Sequence, residues 1–126
     1  MSPSPARRLA AEAIGTALLF ATVIGSGIMA ERLASGNVGL ALLANSVATG
    51  AMLYVLISLL GPVSGAHFNP AVTLVMALRR SLTGPEALLF VLVQCTAGLV
   101  AVWLTHAMFD LPLVQIGIKP RTGGGQ

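Results

Sequence analysis

Residues 64–74 read Ser64-Gly65-Ala66-His67-Phe68-Asn69-Pro70-Ala71-Val72-Thr73-Leu74 and stand between two apolar runs of membrane length. An imidazole, an amide, a proline and a glycine are unusual company there. Asn is a preferred N-cap and Pro suits the first helical position, so Asn69-Pro70 marks a helix start. The apolar stretch that follows closes at Arg79-Arg80. A helix from about residue 70 to 79, rising roughly 1.5 Å per residue, covers about half of a ~30 Å hydrocarbon core. A helix too short to span, capped by an amide in apolar surroundings, predicts a re-entrant half-helix. Irregular backbone at that depth is tolerated only against protein or a water-filled cavity. The stretch therefore points to a pore.

Composition supports a membrane protein independently: 56% hydrophobic and 9% charged residues, with a mean hydropathy of +0.88, lie outside the usual soluble range. The net charge of +3 comes from scattered basic residues with few aromatics between them. No stripe exists for a nucleic-acid backbone to follow. The single cysteine, Cys95, sits in an apolar run, which leaves no intrachain disulfide. Neither His67 nor His106 has a partner at metal-ligand spacing, so no metal and no cofactor are expected. No nucleophile–base pair or paired carboxylates suggest an enzyme.

Three segments are long and apolar enough to cross a bilayer, at about residues 9–30, 38–60 and 85–108, with the re-entrant loop and half-helix at about 61–80. Small residues punctuate the first two: Gly15, Gly25, Ser26 and Gly27, then Ala44, Ser46, Ala48 and Gly50. They let membrane helices approach closely and predict packing of the spans on one another. Residues 1–8 form a short N-terminal segment, and residues 109–126 a tail ending in Gly123-Gly124-Gly125 with no fourth span. The start of the chain is too long in its apolar run, and carries Glu12 too early, for a cleaved signal peptide. It reads as a retained span.

Arg7-Arg8 precede the first span and Arg79-Arg80 follow the half-helix, so both pairs fall on one side. The positive-inside rule puts that side, with the N-terminus, in the cytoplasm and the tail outside. Lys119 and Arg121 then oppose the rule mildly. A bacterial inner membrane is the expected location.

Residues 64–74 resemble the first signature loop of the aquaporin and glycerol-facilitator (major intrinsic protein) family. Ala11-Glu12 with Gly15-Thr16 resembles the start of that family's first helix, and Gln94-Cys95 with Gly98 resembles its third. The resemblance implies an all-α membrane protein: three transmembrane helices plus one re-entrant half-helix, an aquaporin-like half bundle. Family members carry two such repeats in inverted orientation, with the substrate path at their interface. This chain carries the first, at residues 9–108, and stops before the second. Its expected partners are the lipid bilayer and a second-repeat half or another copy of the chain to complete the pore, with a tetramer implied by resemblance.

Individual residues have specific expectations. The Asn69 oxygen caps the half-helix, which leaves its NH₂ to face a passing hydroxyl or water; the alternative is a cap alone. Gly65, Ala66 and His67 precede the half-helix in extended chain, and their carbonyls need acceptor-seeking partners; by resemblance they form a ladder along the pore. The His67 imidazole is either pore-lining or structural. Glu12 either pairs locally with Arg8 at i,i+4 or, as the resemblance implies, accepts bonds from the re-entrant loop. Gln94, Pro70 and Ala71 share that bracing role. Thr49, by resemblance, stands at the outer constriction. A small residue there widens the passage for glycerol, urea or uncharged metalloid hydroxides, unless Thr49 only packs at a helix crossing. The half-helix N-terminus carries about half a positive charge and disfavours cations. Two functions remain open: a half-channel for small neutral solutes, or a truncated, non-conducting product or assembly subunit.

Overall fold

The computed structural model describes residues 3–115. Lys119, Arg121 and the Gly123–Gly125 run lie outside the described residues. Four helices follow in order: α1 (Pro5–Leu33), α2 (Val38–Ser64), α3 (Pro70–Leu78) and α4 (Gly84–Met108). No strand occurs among the described residues. Three helices are long and apolar enough to cross a membrane. The fourth, α3, has nine residues and reaches about 13 Å. The protein is an all-α membrane protein with the architecture of an aquaporin-like half bundle.

The helices begin where capping chemistry, not hydropathy, begins. Ser4 caps α1 by accepting from Arg7 N, with Pro5 in the first turn. The helix therefore starts four residues before the apolar run that marked the span. Asn37 caps α2 by accepting from Leu40 N. Thr83 and Glu86 form a reciprocal capping box on α4. At its far end α2 runs through Pro62 to Ser64, beyond the expected stop near residue 60. Proline removes one backbone donor, but apolar surroundings favour keeping every other helical bond.

α1 is the central element. It packs on both α2 and α4, and α3 packs on α4. The α1–α2 crossing sits at the small residues: Asn45 Nδ2 donates to Val23 O (2.7 Å) and Ser26 Oγ (3.1 Å), close against Gly27. An ion pair joins the start of α1 to the start of α4, Arg8 Nη1 to Glu86 Oε1 at 2.8 Å. At the opposite end Arg32 Nη2 donates to Phe109 O and its guanidinium stacks over the Phe109 ring. Because α3 ends at Leu78, with Arg79 as its C-cap, just ahead of α4, Arg7-Arg8 and Arg79-Arg80 share one end of the bundle.

Candidate functional site

The polar interior gathers around Glu12, which has no solvent exposure. A buried carboxylate needs charge-assisted hydrogen bonds to offset lost hydration. Glu12 accepts four. Oε1 takes Ser64 Oγ (2.6 Å) and His67 N (3.0 Å), and Oε2 takes Phe68 N (2.7 Å) and Gln94 Nε2 (2.8 Å). One side chain from α1 thus ties together the end of α2, the connecting loop and α4. Arg8, the alternative partner weighed for Glu12, instead reaches Glu86. A second layer supports this one. Gln94 Nε2 also donates to Thr73 Oγ1 (2.9 Å), and Thr73 Oγ1 lies 3.1 Å from His67 Nδ1.

Of the three residues expected in extended chain between α2 and α3, Gly65 and Ala66 are not extended but left-handed, and so is Phe68 beyond them. Gly65, Ala66 and Phe68 have φ of 95°, 52° and 48°. The left-handed region suits Gly65, but Ala66 and Phe68 carry a Cβ there at a cost of about 1–2 kcal/mol each. The reason is geometric: chain leaving α2 must double back into α3 while aiming two successive N–H groups at one carboxylate. Glu12 and the Ser64 hydroxyl, which accepts from Ala66 N at 3.1 Å, hold the turn.

Satisfying the N–H groups leaves the carbonyls. Among the described residues no donor reaches the carbonyl oxygens of Gly65, Ala66 or His67. Gly65 is exposed and Ala66 half-buried, whereas the His67 side chain is buried, edge-on to Phe90 at 5.5 Å. Asn69 is exposed; its Oδ1 accepts from Ala71 N at 2.8 Å, and its Nδ2 has no partner among the described residues. Pro70 opens α3, and Ala71 is exposed beside it. The arrangement offers one amide donor and a run of backbone acceptors at a half-helix N-terminus, a surface fitted to hydroxyl and water oxygens.

Thr49 lies apart from this cluster, half-buried on α2, with Oγ1 shut off from the surface and without a partner. A second unpartnered hydroxyl, Thr16 Oγ1, is buried on α1. Thr16 borders an apolar groove of about 350 Å³ with Phe20, Pro70, Gln94, Cys95 and Gly98. The sequence reading passed over Ser64, Phe68 and Thr73 as site residues. All three are within the signature stretch, and Thr73 is one helical turn past Pro70, on the face that meets α4. Gly15 and Thr16 follow Glu12 at i+3 and i+4, a spacing that already placed them on one face.

The profile of the major intrinsic protein family matches residues 1–120. The aquaglyceroporin AqpS of Rhizobium meliloti (strain 1021) is 52% identical over 120 residues, covering 95% of this chain and 51% of that protein. A probable aquaporin PIP2-8 of Oryza sativa subsp. japonica is 33% identical over 86% of this chain and 37% of its own length. Aquaporin PIP2-1 of Arabidopsis thaliana is 33% identical over 94% of this chain and 42% of its own length. The chain spans about half the length, or less, of these curated relatives.

Proposed function

The chain belongs to the major intrinsic protein family, and on that premise we propose that it forms half of a membrane channel for passive movement of small neutral solutes. Water, glycerol and uncharged metalloid hydroxides are the candidate solutes. The observation that carries the reading is the pairing of unpartnered Gly65–His67 carbonyls with a free Asn69 amide at the start of α3. Such groups are costly against lipid, at several kcal/mol each. Against a file of hydroxylic solutes they are satisfied. Glu12, Gln94, Pro70 and Ala71 brace the loop so that its N–H groups turn inward and its carbonyls outward. The α3 N-terminus adds a partial positive charge that repels cations.

A second-repeat half, or another copy of the chain, closes the open side and completes the pore. The small Thr49 side chain leaves room for solutes larger than water, although its hydroxyl is shut off from the surface of this half. AqpS, an aquaglyceroporin by name and a bacterial protein, is consistent with a glycerol-sized passage in a bacterial inner membrane. The shared end of Arg7-Arg8 and Arg79-Arg80 supports a cytoplasmic N-terminus. A second reading makes the chain a non-conducting channel product or an assembly subunit.

Stopped-flow light scattering on proteoliposomes separates the two. The chain is compared alone and together with a supplied second half. Faster glycerol- or urea-driven swelling in the second case supports the half-channel. No gain over empty liposomes for water, glycerol and urea, with insertion verified, leaves the non-conducting reading. Asn69→Asp sharpens the assay, because Asp caps α3 as well as Asn within about 0.5 kcal/mol while replacing the donor with an anion. It should insert normally and lose solute flux.

A further inference from the structure

We propose that Gly15 and Phe68 are paired positioning residues, a notch and a plug whose matched sizes set how deep the loop sits against α1. The consequence for passage width rests on the channel reading above. Phe68 is 1% exposed although its backbone holds the left-handed conformation. That is a position where glycine would be free of strain, so the presence of a ring calls for a reason. The reason is on α1. A Cβ built on Gly15 would lie 2.0 Å from Phe68 Cε1, 2.4 Å from Cδ1 and 2.6 Å from Cζ. The ring occupies the space a side chain at 15 would fill. Among the described glycines Gly15 alone has a neighbour closer than 3.0 Å; Gly50, Gly61 and Gly84 meet nothing within 4 Å.

Glycine inside a helix weakens it relative to alanine, so the notch is not explained by helix formation. Glu12 stands one turn earlier on the same face of α1 and accepts from the Phe68 amide at 2.7 Å. One stripe of α1 therefore holds residue 68 twice, by its N–H and by its ring. Backbone bonds alone fix direction but tolerate sliding; the ring in its notch fixes depth. The unpartnered carbonyls of Gly65, Ala66 and His67 immediately precede it, so their distance from α1 follows the fit of the ring. A methyl at position 15 displaces the ring, lengthens the Glu12 bonds and moves the carbonyls away from α1.

Hydrogen–deuterium exchange at the His67 and Phe68 amides tests this on the full chain in lipid nanodiscs. The set is wild type, Gly15→Ala, Phe68→Ala and the double variant. Gly15→Ala should raise exchange at both amides by about tenfold while the middle of α2 is unchanged. In the Phe68→Ala background the same methyl enters emptied space, so it should leave exchange unchanged or lower it. A Gly15→Ala effect of equal size in both backgrounds, or none in either, overturns the pairing. Should Gly15→Ala fail to fold, NMR of wild type against Phe68→Ala decides. The Gly15 α-proton shifts carry a ring-current displacement that Phe68→Ala removes, and identical shifts overturn the proposal. Where an assembled pore conducts, the glycerol-to-water permeability ratio should change in Gly15→Ala and return in the double variant. A constant ratio alongside altered exchange overturns the link to passage width. Absence of conduction in every protein counts against the channel reading, while the exchange data still decide the pair.

Discussion

Glu12 has surrendered all contact with solvent, and its four donors replace that hydration one bond at a time. Two of those donors are backbone amides of the loop that no other acceptor serves. Exchanging the carboxylate for an amide of the same shape, Glu12→Gln, keeps one acceptor oxygen and aims an NH₂ at groups that themselves donate. At least one loop N–H and the Gln94 or Ser64 donor are then left buried and unsatisfied. With each such group costing about 1–3 kcal/mol, the variant should lose about 3 kcal/mol of stability. Unfolding in mixed micelles of rising dodecyl sulfate fraction measures it. A loss below about 1 kcal/mol would show that the loop holds its left-handed turn without the carboxylate. Glu12→Asp, which keeps both acceptors but draws them back by one methylene, should fall between wild type and Glu12→Gln.

Glu86 shows how one residue serves two elements. Its carboxylate completes the capping box with Thr83 at the start of α4, and it also receives Arg8 Nη1 from α1. Arg8 in turn stacks on Phe90 at 5.2 Å, and Phe90 meets the His67 ring. Glu86→Ala should therefore lower the melting temperature in detergent more than Arg8→Ala, since it removes a cap as well as an ion pair. Raising salt should shrink the Arg8→Ala effect toward its packing component and leave the cap component standing. Equal effects at all ionic strengths would mean the cap contributes nothing. The capping pieces were legible in advance because they are local: Asn69-Pro70 announces α3 from two adjacent residues. The tie between Glu12 and residues 64, 67, 68 and 94 spans more than fifty positions. The residues alone left it undecided against a local Arg8 contact; the family resemblance pointed to the loop. The left-handed turn escaped altogether, since Ala66 and Phe68 are not residues that propensity assigns to it. The reach of α2 to Ser64 lay beyond the apolar run at about 38–60: the helix continues through Pro62 because an apolar setting keeps the remaining helix bonds intact.

In the whole molecule, polar groups are concentrated on one inner seam while a second surface is left open. α1 carries the seam toward α2, the loop and α4, yet beside it the groove of Thr16, Phe20, Pro70, Cys95 and Gly98 is left open by the described residues. Lipid tails can fill such an apolar groove. A protein helix can fill it as well, so the groove bears directly on whether a second half docks here. Cys95 makes this measurable, being the chain's one cysteine and exposed on the groove wall. In detergent a membrane-soluble maleimide should label Cys95 of the isolated chain readily. After reconstitution with a complementary half, labelling should fall sharply, and a Cys95→Ser chain should assemble equally well, since the thiol makes no bond among the described residues. Unchanged labelling in a complex verified by size would place the partner on another face. Loss of labelling that also occurs when the chain is simply moved from detergent into lipid would assign the cover to the bilayer. Only protection that depends on the second half ties the open side of this bundle to the pore it is proposed to complete.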